Sequence, residues 1–209
     1  GLGLQLQWRP KEWISILASA YGGHDTPNLP NRFRFHNDNS IVLRYFNSPG
    51  KKISKGAFSV TGDLGFEKSG GVTPFGGING PAQNFISWMV YHRIWFAREK
   101  MGWTVGGGYI NNPGRYLSLL PPGNGVLTQN PGDQFKGWDA STTLQYMPNE
   151  HLTWSIEAVT RHTSVPYFSG RGGVTSPNGW NPPIGDPAGY LADLVKEETR
   201  LIMSMIVRF

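Results

Sequence analysis

The side chains of this sequence best suited to proton transfer near neutral pH are five histidines, His24, His36, His92, His151 and His162. Serines are plentiful, so a serine nucleophile beside one of these bases is the first chemistry to look for. No GlyXaaSerXaaGly elbow occurs, and no other spacing joins nucleophile, base and orienting acid. His24 and Asp25 set a base beside an acid, as in barrel proteases, but in a polar loop such a pair is ordinarily just solvated. His36 and Asp38 share one strand face, and two ligands fall short of a metal site. The Gly-rich stretches 62–81 and 170–179 lack the Lys-Ser/Thr pair of a phosphate loop. The expectation is a protein that is not an enzyme and carries no metal or cofactor.

Charge and composition narrow the class further. The net charge is +5, but the basic residues are scattered; only Lys51, Lys52 and Lys55 cluster, in a turn, so no nucleic-acid partner is expected. Charged residues make up 16% and aromatics 13%, a low charge content beside soluble domains. Gly (28) and Pro (16) are frequent, which favours turns over long helices, and the absence of Cys leaves no disulfide framework. No run approaches the length of a membrane helix, the stretch 85–91 being far too short, a limit that does not touch a membrane β-barrel.

Period-two alternation marks nine strands, in the neighbourhoods of 2–8, 12–22, 32–46, 58–67, 85–98, 102–110, 134–146, 152–161 and 201–209. The fourth is the clearest. Phe58, Val60, Gly62, Leu64 and Phe66 oppose Ser59, Thr61, Asp63, Gly65 and Glu67. The last sets Leu201, Met203, Met205, Val207 and Phe209 against Arg200, Ile202, Ser204, Ile206 and Arg208. Short turns at 9–12, 47–52, 98–101 and 147–151 alternate strictly with long Gly/Pro/Asn-rich loops at roughly 23–31, 68–84, 111–133 and 165–193. A soluble sandwich has no reason for that rhythm, whereas an outer-membrane barrel has short periplasmic turns and long outer loops. Aromatics near strand ends, among them Trp8, Trp13, Tyr45, Phe66, Trp103, Tyr109, Trp138 and Tyr146, suit interfacial girdles.

The expected fold is therefore an all-β antiparallel transmembrane barrel, with 1–209 as one barrel domain. A ninth strand ending on the periplasmic side puts the first strand's start outside. Because bacterial barrels usually have an even strand number, the count predicts further strands upstream and makes 1–209 the C-terminal part of a larger barrel.

The polar parity becomes the expected pore lining: Arg34, Asp38, Arg44, Asp63, Glu67, Arg93, Asp139, Glu157, Arg161, Lys196, Glu198 and Arg200. With Arg208 the bases number seven against six acids, which argues against a one-sign selectivity filter. Two readings stay open: an aqueous lumen, or opposite charges pairing across strands to plug a narrow barrel. His92 stands out because its parity turns it toward lipid, where a polar ring needs an interface, a local bulge or a covering partner.

Three blocks, at 103–122 (TrpThrValGlyGlyGlyTyrIleAsnAsnProGlyArgTyr and onward), 130–141 (AsnProGlyAspGlnPheLysGlyTrpAspAlaSer) and 165–174 (ValProTyrPheSerGlyArgGlyGlyVal), closely resemble the OmpL-like β-barrel porin-2 family of Bacteroidetes-type outer membranes. So does the closing run from Lys196 to Phe209. The resemblance implies export to the outer membrane of a Gram-negative bacterium and a porin role, passive diffusion of small hydrophilic solutes. The competing reading is a non-conducting structural barrel within a larger envelope complex. It also implies that the C-terminal Leu201, Met203, Met205, Val207 and Phe209 face lipid and carry the signal read by the barrel-assembly machinery. Outer-membrane lipid, that machinery, and further copies or envelope proteins are the expected partners.

Overall fold

A computed structural model describes residues 1–25, 30–68, 83–113, 116–117, 119, 134–173 and 193–209. Among them there is no helix. The strands are β1 (Leu2–Lys11), β2 (Ile14–Gly23), β3 (Phe33–Asn47), β4 (Ile53–Lys68), β5 (Asn84–Phe96), β6 (Met101–Asn112), β7 (Phe135–Asn149), β8 (Leu152–Thr163), β9 (Phe168–Ser169), β10 (Leu194–Val195) and β11 (Glu197–Val207). Nine of them form one antiparallel sheet in the order β1-β2-β3-β4-β5-β6-β7-β8-β11, and β9 and β10 make a separate small ribbon. Neighbours in sequence are neighbours in space, as in an up-and-down barrel wall. The sheet is not closed, because β1 and β11 form its two edges.

The amphipathicity is inside out. Along β7, Trp138, Leu144 and Tyr146 are 41–47% exposed, while the alternating Asp139, Ser141, Thr143 and Gln145 are half-buried. β8 repeats this, with Trp154 and Ile156 exposed and Ser155 and Glu157 half-buried. In a water-soluble sheet the apolar side chains would be the covered ones. Side chains crowd together on a concave face and spread on a convex one, so the polar face is concave and the apolar face convex.

Aromatics mark the two ends of the convex face. Trp88, Tyr109, Trp138 and His162 stand in one cross-strand row near the long loops. Tyr45, Trp103, Tyr146 and Trp154 lie near the short turns. Trp138 and Tyr146 are eight residues apart on β7, or about 27 Å of strand and, with a tilt near 40°, about 20 Å of height. That approaches the hydrocarbon band such barrels present.

Every register shift of the large sheet lies beside a short turn: Trp8/Lys11, Arg44/Phe46, Ile53/Lys55 and Tyr146/Asn149. This explains where the structure departs from the periodicity. The turn expected over 147–151 tightens to 150–151. β7 runs on through Pro148 because a bulge there needs no ladder N–H. Asn149 Oδ1 then accepts the N–H groups of His151 and Leu152, both at 3.0 Å. β1 likewise continues to Lys11, its Pro10 being tolerated on an edge strand. β11 starts at Glu197, earlier than expected; β9 lies inside the segment read as loop 165–193, and its partner β10 directly follows that segment. Most of the four long loops falls outside the described residues.

The short turns differ in chemistry. Gly50 has φ +85°, which only glycine adopts cheaply, and it closes the 47–52 turn. At the β5–β6 turn Ala97, Arg98 and Glu99 all have positive φ (51°, 57° and 65°), a left-handed run costing roughly 1–2 kcal/mol per residue. Lys55 Nζ holds Glu99 Oε2 at 2.6 Å and ties this turn to β4.

Candidate functional site

The candidate site is the concave face. Its side chains come from one parity of every strand, so ladder register decides which residues meet. Arg34 stands opposite Glu67, Asp38 opposite Asp63, and Asp63 opposite Ser87. Arg44 and Arg93 flank Ala57 in one row. Asp139, Arg161 and Glu198 form another row, next to that of Val159 and Arg200. Glu157 lies opposite Thr143 on β7 and Ile202 on β11. Lys196 sits at the bend before β11, where its carbonyl accepts Thr163 N–H at 2.8 Å. Leu201, Met203, Met205 and Val207 occupy the convex face opposite Ala158, Ile156, Trp154 and Leu152, and Phe209 follows the end of β11.

The ion pairs run along the wall between neighbouring strands. Near the outer end Glu67, 8% exposed, receives Arg32 Nε at 2.8 Å and Arg34 Nε at 2.7 Å, while Asp25 approaches Arg34 at 3.5 Å. On β11 and β8, Glu198 holds Arg200 at 2.5 Å and Arg161 at 3.6 Å. Asp38 and Asp63 make an acidic spot, with Ser87 Oγ donating to Asp63 at 3.0 Å. Nearer the short turns the charge reverses. Arg44 meets Glu12 at 3.9 Å, and Arg93 lies over the Trp95 ring at 4.7 Å and reaches Thr104 at 3.4 Å. Nε of both arginines, Asp139 Oδ1 and Gln145 Oε1 find no partner among the described residues. Groups of this kind need water.

Two features escaped periodicity. The first is Tyr116, which lies in the segment read as outer loop 111–133 but turns inward. Its ring stacks on Phe85 at 5.1 Å and on His36 at 5.9 Å, with the Arg34 guanidinium 5.6 Å from its centroid. Its hydroxyl donates to Phe35 O at 3.0 Å and bonds His36 Nδ1 at 3.2 Å, while His36 Nε2 meets Asp38 at 3.1 Å. Gly65 leaves the space, since a Cβ there would lie 2.6 Å from the Tyr116 ring. Fully buried Asn112 clamps the segment, donating to Leu117 O at 2.7 Å and accepting Leu117 N–H at 3.2 Å. Burial pushes the Tyr116 phenol up to about 12; Arg34 pulls the other way, and Glu67, Asp25 and Asp38 add to the rise. Only an aromatic four residues after Asn112 hints at this seat in the sequence.

The second feature is β6, whose concave side offers Gly102, Thr104, Gly106, Gly108 and Ile110. Arg93, Tyr91 and Met89 of β5 lie over the three glycines. Beyond it a cavity of about 330 Å³ opens among Met89, Ile110, Phe135, Asp139, Arg161 and Phe168.

The histidines are held by structural partners. His24 packs edge-on to Phe33 at 5.5 Å, His151 Nδ1 bonds Arg208 O at 3.1 Å, and His162 stacks on Trp138 and meets Glu197 at 3.2 Å. His92 does face outward on the convex side. Its Nε2 shares a 2.6 Å hydrogen bond with Tyr45 Oη, the rings 5.8 Å apart. Tyr45 is the extra residue of the Arg44/Phe46 shift, so the bulge lies on β3 and not on the strand of His92. The Tyr45 ring passes over Gly56 of β4, where a Cβ would come within 2.6 Å.

Across known proteins, a family model described as "Putative beta-barrel porin-2, OmpL-like" matches residues 1–209, the whole chain. No curated protein and no solved structure matches.

Proposed function

The chain belongs to the OmpL-like β-barrel porin-2 family, a family of bacterial outer-membrane barrels, and on that premise we propose that its concave face lines an aqueous pore for passive diffusion of small hydrophilic solutes. The observation that carries this reading is the inverted amphipathicity, with aromatic-bounded apolar side chains exposed on the convex face and charges on the concave one. Such a wall suits lipid outside and water inside. Ion pairs that lie along the wall are compatible with an open lumen.

In this reading the charged positions of the concave face, apart from the buried Glu67, meet the permeating solute. The acidic Asp38–Asp63 spot and the Arg44–Arg93 row act as separate stations, which suits weak overall selectivity. Tyr116 narrows the outer half. The edges of β1 and β11 carry unpaired ladder groups that hydrocarbon does not tolerate, so in the membrane both edges are paired.

Full-length protein in a planar bilayer tests the proposal. Stepwise conductance that grows with salt is the expected result. A silent membrane containing folded protein refutes the pore and favours a structural barrel of the envelope.

A further inference from the structure

The cavity beyond β6 rests on two cross-strand rows of the concave face. Ile110, Gly137 and Thr163 make the row nearer the long loops, and Gly108, Asp139 and Arg161 make the next. Gly137 adds no side chain between Ile110 and Thr163, which leaves the floor low there. Phe135 and Phe168, 3% and 8% exposed, close the loop side, with Tyr167 edge-on to both at 5.3 and 5.4 Å. The volume of about 330 Å³ lies at the small end of ligand pockets, which run from about 300 to 1,000 Å³.

Asp139 and Arg161 stand directly opposite each other on β7 and β8, the register at which unlike charges ordinarily pair. Among the described residues they make no ion pair with each other. Arg161 Nη1 instead approaches Glu198 Oε2 at 3.6 Å, too long for a hydrogen bond, while Arg200 holds Glu198 at 2.5 Å. Asp139 Oδ1 is buried and has no partner among the described residues. Ser87 and Thr163, which also line the cavity, are committed elsewhere. Ser87 Oγ donates to Asp63 at 3.0 Å, and Thr163 Oγ1 donates to Val165 O at 2.7 Å.

A water held in a cavity needs roughly two to four polar partners, and walls of Met89, Ile110, Phe135 and Phe168 supply few. A ligand with an apolar body and opposite charges at one end suits both kinds of wall. A simple amine would leave the Arg161 guanidinium unmet, and a simple acid would leave Asp139 unmet. An α-amino acid carries its ammonium and carboxylate on one carbon, and directly opposed strand residues are about 4.5–5.5 Å apart at Cα, a spacing that suits such a pair. We propose that this cavity is a binding subsite for zwitterionic α-amino acids with a large apolar side chain. Asp139 accepts from the ammonium, Arg161 donates to the carboxylate, and the side chain lies against Phe135 and Phe168. This rests on the pore reading above, which opens the concave face to solutes.

Equilibrium dialysis of the full-length protein in detergent micelles against radiolabelled L-phenylalanine tests the subsite, and saturable binding is the expected result. Glycine, phenethylamine and 3-phenylpropionate lack the apolar group, the carboxylate and the ammonium in turn, and each competes at least tenfold more weakly. Asp139→Asn and Arg161→Gln each remove one charge and raise Kd at least tenfold, with far-UV circular dichroism unchanged. Should a charge variant fail to fold, Phe168→Ala, outside the large sheet, carries the test. It weakens L-phenylalanine at least tenfold and leaves the weak competition by glycine as it was. Absence of saturable binding, equal competition by any of the three analogues, or an unchanged Kd in the folded variants each overturn the subsite. Planar-bilayer recording of the same protein separates the two levels. Conductance without saturable binding refutes only the subsite, and saturable binding with a silent membrane refutes only the pore.

Discussion

Replacing Tyr45 by Phe removes the hydroxyl that His92 depends on and changes nothing else in the volume of the wall. His92 lies four residues from the Phe96 end of β5. That is about 13 Å of strand and, allowing for tilt, about 10 Å above the turn-side rim. At this depth the ring has left bulk water without reaching the centre of the hydrocarbon. An unpaired polar group in such a setting costs about 1–3 kcal/mol, while membrane hydrogen bonds measured by double-mutant cycles average about 0.6 and reach about 1.7 kcal/mol. The expected loss for Tyr45→Phe is therefore about 1 kcal/mol. His92→Leu removes the polar ring together with its need for a partner, so it should be neutral or mildly stabilising. In the double variant the Tyr45→Phe cost disappears, a coupling of about 1 kcal/mol. Gly56→Ala is an independent route to the same loss, because its Cβ enters the space of the Tyr45 ring end. Reversible urea unfolding from lipid vesicles, followed by tryptophan fluorescence, measures all four proteins. Strict additivity of Tyr45→Phe and His92→Leu, or an unaffected Gly56→Ala, would refute the idea that the bulge at Tyr45 exists to satisfy His92.

Four further outcomes follow from the concave face and the turns. Tyr116→Ala removes the ring stacked on His36 and Phe85 and should raise single-channel conductance; an unchanged or lower conductance refutes its role in narrowing the lumen. Because the Tyr116 phenol is pushed up to about 12 from 10.0, its support for the docked segment is complete below pH 10 and is lost as pH rises through about 12. The phenolate absorbance difference between the native protein and Tyr116→Phe should accordingly be absent below pH 10 and grow in as pH rises through about 12. Arg44→Gln with Arg93→Gln leaves the Asp38–Asp63 spot dominant, so the reversal potential in a salt gradient should move toward cation preference. Arg98→Gly relieves one left-handed residue while sparing the Lys55–Glu99 pair, and should stabilise the barrel to urea by about 1 kcal/mol.

The strands were legible because period two survives wherever one face meets apolar surroundings and the other meets water. The same parity put all eleven expected lining residues that lie in strands on one face, from Arg34 on β3 to Arg200 on β11. Loop rhythm gave the up-and-down order. What periodicity could not carry were departures from it. A bulge leaves no trace in composition, so the alliance of Tyr45 with His92 across Gly56 was invisible, although His92 itself stood out as misplaced. Tyr116 belongs to no periodic segment, and its seat depends on a vacancy at Gly65 some fifty residues earlier.

The bare inner side of β6 has a mechanical meaning. A curved wall resists tighter bending when side chains on its concave face are driven together, and β6 sets three glycines between the side chains of β5 and β7. Met89, Tyr91 and Arg93 already lean across that strand and can slide over it, since there are few side chains for them to strike. Bending stiffness is therefore lowest along this one crease. Two strands away, β3 and β4 are braced by Arg32, Arg34 and Glu67, so resistance to bending differs between neighbouring parts of one wall.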